Sequence, residues 1–220
     1  MKYYTKERYE EMQVRGFLVF PPSKEEWVEI VKSYYDMGID YIENIKSELE
    51  YRKKDLLKYL PESVHSSIHE KTLMTEYPSD EILNILNRCC EDYDTKSQRI
   101  LNESRKSYES IKNKLPKSII HLFENSLHDA RVISFEYESE KQECILALKH
   151  HQDGKYVKVG LIFTGVKDLK LEGNIKEESL WLYEEIYLGD SEHFELHVLL
   201  DYPLTELCIK AQDLKFTVLT

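Results

Sequence analysis

Apolar side chains in the first 115 residues recur mostly three or four positions apart, which is the spacing of an α-helix with one apolar face. The pattern predicts a short helix over about 5–14 and two long helices, over 23–60 and 79–114. Gly38 falls within the first long helix, where it can kink or interrupt it. Two long helices of similar length suggest an antiparallel hairpin or bundle.

After Leu115-Pro116 the pattern changes to a short helical run and then to alternation with a period of two, which is typical of strands. About seven strands are predicted. Asp153-Gly154 and Gly189-Asp190 each separate two alternating segments, so both predict hairpin turns. The expected fold is α+β, with a long-helix hairpin or bundle in residues 1–115, packed against or beside a small, mostly antiparallel β domain in residues 116–220.

Composition removes several classes of function. The chain has 220 residues, 41% of them hydrophobic, and a formal net charge of −11. This acidity disfavours non-specific nucleic-acid binding, which needs clustered Lys and Arg. No apolar run has the length of a membrane span, and the first residues contain no apolar signal region. The four cysteines form no C-x-x-C pair, which disfavours a structural zinc site; they are Cys89, Cys90, Cys144 and Cys208. Because no signal region is present, reduced thiols in a cytoplasm are expected.

A first candidate site lies in the sequence PESVHSSIHE. If this segment is helical, His65 and His69 lie one turn apart on one face, so a single divalent metal ion can contact both. Glu62 and His65 form a Glu-x-x-His pair of the kind used by di-iron bundles. The sequence contains no second such pair, and an exposed or structural role is therefore favoured over metal binding. No other cofactor is predicted.

A second candidate is the acidic segment, residues 172–195, which carries eight acidic side chains, one Lys and four aromatic rings. Acidic charge beside aromatic rings is suited to docking a basic protein, because the charge steers the partner and the rings anchor it. A solvated face over a half-buried sheet is the favoured alternative. The candidate partner-binding residues are Trp181, Tyr183, Glu184, Glu185, Tyr187 and Glu195.

The acidic segment ends in HFELH, where His193, Glu195 and His197 alternate along a predicted strand. On a strand these three side chains share one face, but the two imidazoles are about 13 Å apart. That separation is too large for one metal ion to be bound by both rings. A polar outer face is therefore the preferred interpretation of this segment.

Several segments together resemble an uncharacterised bacterial family; they include MKYYTKERYEEMQVRGFL, LLKYLPESVHSSIHEKTL, ENSLHDARVISFE, WLYEEIYL and FELHVLLDYPLTELCIKAQDL. The resemblance is to a domain-of-unknown-function family common in Bacillus-type Firmicutes and extends over essentially the whole chain. It implies a bacterial cytoplasmic origin and a helical part followed by a β-rich part, and it assigns no activity. The second part also resembles small bacterial immunity-type proteins, which bind and neutralise a toxin.

The sequence therefore predicts a cytoplasmic, non-enzymatic protein-binding module, with an immunity-like role included, that uses the acidic segment. The alternative is a metal-binding protein or metal-dependent enzyme that uses Glu62, His65 and His69. Neither a nucleic acid nor a membrane is an expected partner. A homodimer formed through the long helices is left open.

Overall fold

The structure is a computed structural model that describes residues 1–152, 154–190 and 192–219. Within these residues it confirms the α+β fold, with six α-helices followed by one sheet of eight strands. The helices are α1 Lys6–Phe17, α2 Lys24–Asp36, α3 Tyr41–Tyr59, α4 His65–His69, α5 Asp80–Ile111 and α6 Lys117–Glu124. The strands are β1 Arg131–Glu138, β2 Glu143–Gln152, β3 Lys155–Thr164, β4 Asp168–Glu172, β5 Leu180–Leu188, β6 Phe194–Asp201, β7 Thr205–Ala211 and β8 Asp213–Leu219.

The chain divides into two compact units, a helical unit of residues 7–99 and a sheet unit of residues 1–6 with 100–220. The sequence places its division later, at residue 115. The difference arises because the last turns of α5 and the residues after it belong with the sheet. Tyr108 and Leu115 are each only 7% exposed and lie in the hydrophobic core of the sheet unit.

In the helical unit, the predicted helix over 23–60 is interrupted and forms α2 and α3. Gly38 has a φ of +77°, a left-handed conformation that costs little without a Cβ atom. Asp40 then begins α3, since its side chain accepts a hydrogen bond from the Glu43 N–H. The core of this unit combines residues of α1, α3, α4 and α5; it includes Val14, Leu49, Leu56, Ile68 and Leu86.

The eight strands have the order β4-β7-β6-β5-β1-β2-β3-β8, and every neighbouring pair is antiparallel. The hairpin predicted at Gly189-Asp190 is confirmed by the pairing of β5 with β6. β2 and β3 also pair as a hairpin, although Asp153 of its predicted turn lies outside the described residues. In the described residues, no helix is both long and apolar enough to cross a membrane.

Alternation along β6 and β7 gives the sheet two different faces. The inner face carries the apolar core, whose members on these two strands are Phe194, Leu196, Val198, Leu200, Leu207, Ile209 and Ala211. At the positions between them the outer face carries Glu195, His197, Glu206, Cys208 and Lys210, together with the buried Leu199. A bulge between Trp181 and Tyr183 shifts this alternation in β5.

Candidate functional site

The N-terminal segment, Met1–Lys6, lies against the outer face of the sheet. Glu185 on β5 accepts hydrogen bonds from the backbone N–H groups of Lys2, Tyr3 and Tyr4, at 2.8, 2.8 and 2.6 Å. The side chain of Glu185 also accepts a hydrogen bond from the Tyr187 hydroxyl. Glu185 is only 3% exposed, so its charge is offset by donors inside the protein rather than by water.

Three further contacts hold the same segment to the sheet unit. The ring of Tyr4 stacks on that of Tyr183, with centroids 4.9 Å apart and an interplanar angle of 11°. The ammonium of Lys6 donates to the Glu172 carbonyl at 3.0 Å. The ammonium of Met1 forms an ion pair with Glu206.

The residues predicted to bind a partner do not form one exposed surface. Trp181 is fully buried, and its indole N–H donates to Glu184 at 2.7 Å. Because of the bulge, Glu184 lies opposite Val198 on the inner face, where burial raises the pKa of its carboxyl. Glu185 is occupied by the N-terminal segment. Trp181 and Glu185, two of the predicted partner-binding residues, are therefore internal.

A cluster with different chemistry lies on the outer face of β6 and β7. We name it the outer cluster; it comprises Glu195, His197, Glu206, Cys208 and Lys210. His197 and Cys208 are direct partners across the two strands, and His197 Nε2 lies 3.5 Å from Cys208 Sγ. The same Nε2 lies 3.9 Å from Glu195 Oε2. The ligand atoms of Glu195, His197 and Cys208 all lie within 4.8 Å of one another.

Two charged residues flank these three side chains. On the other side of the imidazole, Nδ1 of His197 lies 3.5 Å from Glu206 Oε1. The ammonium of Lys210 lies 3.5 Å from Glu195 and 3.3 Å from Asp190. The side chains of His197 and Glu206 are each 20% exposed, so the cluster is open to solvent on one side.

Burial and charge shift the pKa values of Cys208 and Glu206 in the outer cluster. Burial raises the pKa of the Cys208 thiol, and the nearby carboxylates of Glu195 and Asp168 raise it further. Burial alone would also raise the pKa of Glu206, but hydrogen bonds and charge from the Met1 ammonium and His197 lower it overall. Glu206 is therefore ionised next to the imidazole, while Cys208 is a neutral thiol at physiological pH unless a cation binds it.

The family model described as "Protein of unknown function (DUF4085)" matches residues 3–211. This chain belongs to the DUF4085 family. No curated protein matches it. It is also similar to a solved structure described as an uncharacterized protein from Neisseria gonorrhoeae, with 14% identity and a TM-score of 0.32, over 43% of this chain and 95% of that one. The predicted Bacillus-type origin of this DUF4085 chain stays a prediction.

The metal-ligating residues predicted in the helical unit of this DUF4085 chain lie at the ends of short elements. Glu62 begins a three-residue 3-10 turn and is exposed. His65 begins α4, and its Nε2 lies 2.9 Å from the Leu60 carbonyl oxygen. His69 ends α4 and is exposed. Within the described residues, the side chains whose ligand atoms lie close enough together to share one ion are Glu195, His197 and Cys208. Metal binding by Glu62, His65 and His69 stays a prediction.

The sequence interpretation of HFELH identified the face shared by Glu195 and His197 but missed Cys208. His193 precedes β6, and its Nδ1 contacts Asp190 instead. Cys208 comes from the next strand, where Glu206, Cys208 and Lys210 alternate in the sequence ELCIK. Pairing these two alternating segments as a hairpin could have placed Cys208 beside His197.

The first prediction concerns the buried carboxylate of Glu185. Replacing Glu185 with Gln places an N–H₂ group among N–H donors and should lower the free energy of unfolding by about 2–4 kcal/mol. Urea unfolding measures this loss, and hydrogen exchange at the Tyr3 and Tyr4 amides should accelerate. The exposed Glu177→Gln is the matched control and should change stability by less than about 0.5 kcal/mol. A Glu185→Gln protein as stable as wild type would contradict the buried role.

The second prediction concerns the pH dependence that arises from Glu184. Its pKa is raised in the folded protein, so its contribution to stability is complete below the ordinary value of 4.5 and is lost as the pH rises through the folded pKa. Glu184→Gln keeps an acceptor for Trp181 and cannot ionise. It should therefore match wild type at about pH 3.5 and be more stable at about pH 7.

Thermal unfolding at both pH values tests this expectation, with Glu177→Gln again as the control. If the Gln variant were less stable than wild type at neutral pH, the ionised Glu184 would be the favoured form in the folded protein. That outcome would contradict burial as the dominant influence on Glu184.

Proposed function

We propose that this protein binds one transition-metal ion of the Zn²⁺ type through Glu195, His197 and Cys208. The observation that carries the proposal is the convergence of three different ligand atoms on one face of β6 and β7, all within 4.8 Å of one another. The sequence alternative of a metal-binding protein is thereby retained, with the site moved from the helical unit to the sheet.

The distances suit a small ion. With zinc bonds of about 2.0–2.3 Å, two ligands of a tetrahedral site are about 3.6 Å apart. The imidazole lies 3.5 Å from the thiol and 3.9 Å from the carboxylate, so both separations are close to that value. The third separation, between the ligand atoms of Glu195 and Cys208, is no more than 4.8 Å, and rotation of either side chain can shorten it.

The set of ligands selects the metal class. A thiolate, an imidazole and one carboxylate suit zinc and cobalt(II), whereas magnesium and calcium prefer sites made of oxygen atoms. Three protein ligands leave a fourth position for water or for a group from another molecule. The proposal assigns no reaction to that position.

Neighbouring charges support the same assignment. Metal-bound histidines commonly donate their second N–H to a carboxylate, which fixes the ring and increases its basicity. Glu206 lies 3.5 Å from Nδ1 of His197, which is buried and makes no hydrogen bond of its own, so Glu206 is the carboxylate nearest to this role. Lys210 lies beside Glu195 and Asp190 and can shift towards Asp190 when Glu195 binds a cation. A reducing compartment such as a bacterial cytoplasm suits a thiolate ligand, because the sulfur must stay unoxidised.

The third prediction is that metal-free protein binds about one equivalent of cobalt(II) or zinc per chain. Cobalt(II) should give a thiolate-to-metal charge-transfer band in the near ultraviolet, because Cys208 is a ligand. Cys208→Ser should abolish that band, while Cys90→Ser, a thiol in the helical unit, should retain it. Glu206→Gln should weaken zinc binding by about 10–100-fold in competition with a chelator, with the band preserved.

A second pair of variants separates the two candidate sites. His197→Ala should lose the metal, and the double variant His65→Ala/His69→Ala should keep it, as measured by mass spectrometry of the intact folded protein. Retention in His197→Ala together with loss in the double variant would move the metal to the helical unit. A charge-transfer band unchanged in Cys208→Ser would also contradict the proposal.

A second candidate function is the protein-binding role predicted for the acidic segment, including its immunity-like form. The observation that favours it is the exposure of three carboxylates, those of Glu172, Glu177 and Glu192, for which the described part of the chain provides no ion-pair partner. Such carboxylates can steer a basic protein without the buried Trp181 and Glu185.

The fourth prediction tests that role with residues whose change leaves the core intact. The double reversal Glu177→Lys/Glu192→Lys should weaken binding of a partner identified by cross-linking and mass spectrometry by about tenfold or more, and the loss should be smaller at high salt. Glu81→Lys, an exposed reversal at the start of α5, is the control. Equal binding by all three proteins would remove the acidic segment from partner recognition.

A further inference from the structure

A groove of about 620 Å³ runs between α1, α2 and α3 inside the helical unit. We name it the helical groove; its walls include Phe17, Trp27, Ile30, Tyr34, Tyr41 and Arg52. The volume lies in the range of sites that hold small organic molecules. It is independent of the outer cluster, since every residue that lines it lies between Met12 and Met74.

The helical groove exists because α2 is incompletely packed. None of the described side chains of α2 is buried, although the helix carries an apolar stripe. Trp27 and Tyr34 pack their rings against Tyr41, with centroids 6.3 and 5.3 Å apart. Ile30, on the same side of the helix, remains 39% exposed. The stripe therefore forms one wall of an open aromatic groove rather than a closed core.

Two polar groups give the helical groove N–H donors for a ligand, although the charge of Arg52 is itself paired with Glu48. Arg52 is the one charged residue among the described residues that line it. Its Nε donates to Glu48 at 2.8 Å, and its guanidinium lies 5.6 Å from the ring centroid of Phe17. Its two terminal N–H₂ groups make no hydrogen bond within the described part of the chain. The indole N–H of Trp27 is also buried and makes no hydrogen bond of standard geometry.

We propose that the helical groove binds a small organic carboxylate with an extended apolar body, such as a medium-chain fatty acid. The apolar body would bury against Trp27, Ile30 and Tyr34, and the carboxylate would accept hydrogen bonds from the free N–H₂ groups of Arg52. A guanidinium pairs with a carboxylate through two parallel hydrogen bonds, which fixes the orientation of the ligand. A neutral lipid would leave these donors unpaired, and a polyphosphate would meet only one cation.

The experiment uses the full-length protein, with dodecanoate as the probe and dodecanol as its uncharged match. The chain has two tryptophans, and Trp181 is fully buried in the sheet unit, so Trp27 reports on the groove. Dodecanoate should cause a saturable change in tryptophan fluorescence that is absent in Trp27→Phe. Calorimetry should give the same affinity for dodecanoate as the fluorescence titration. Dodecanol should bind at least about tenfold more weakly than dodecanoate.

Variants of the cation test the assigned orientation. Arg52→Gln should weaken dodecanoate binding by about tenfold or more and leave dodecanol binding unchanged, because only the carboxylate contact is lost. Arg52→Lys keeps the charge but lacks the two parallel hydrogen bonds, so its affinity for dodecanoate should lie between those of Arg52→Gln and wild type. Arg88→Gln, an exposed change on α5, is the matched control and should bind like wild type.

Three outcomes would overturn the proposal. Dodecanoate binding that does not saturate below its micelle concentration would show that the groove is no site for such a ligand. Equal affinity for dodecanol would show an apolar surface without selection by Arg52. The third outcome is a protein that sediments as a dimer and becomes monomeric in Ile30→Glu. If dodecanoate binding were also unchanged in that variant, a second copy would cover the groove.

Discussion

The register of β6 against β7 is the constraint on which the rest of the sheet unit depends. His197 faces Cys208 across the two strands, and Leu196 faces Ile209 at the adjacent pair. Because side chains alternate, a slip of one residue in β6 would place Glu195 and His197 in the core and expose Leu196. The free energy that buries the apolar inner face therefore also positions the outer cluster, and no separate device is needed to hold the three ligand atoms together.

The second constraint is the buried carboxylate of Glu185. A carboxylate that is 3% exposed is stable only when donors surround it, and three successive backbone N–H groups of the N-terminal segment supply them. The same segment contributes the Met1 ammonium to Glu206, which in turn lies beside His197. Acidic residues on this face thus have internal partners, and this explains why the most acidic segment of the chain is not simply a charged surface.

Features that depend on neighbours in sequence were predictable, and features that depend on distant pairing were not. The helical first part, the change to strands and the hairpin at Gly189-Asp190 follow from local patterns. Glu184 and Glu185 were both predicted to bind a partner, but the bulge between Trp181 and Tyr183, which a simple alternation does not contain, places Glu184 on the inner face and Glu185 under the N-terminal segment. Cys208 was missed because its partner His197 lies eleven positions away, on the preceding strand.

The central claim is that Glu195, His197 and Cys208 together hold one metal ion. X-ray absorption at the zinc edge of zinc-loaded protein tests it most directly, because sulfur and nitrogen or oxygen neighbours scatter differently. The account predicts one sulfur at about 2.3 Å and nitrogen or oxygen ligands at about 2.0–2.2 Å. A shell of nitrogen and oxygen alone would exclude Cys208 as a ligand and contradict the account.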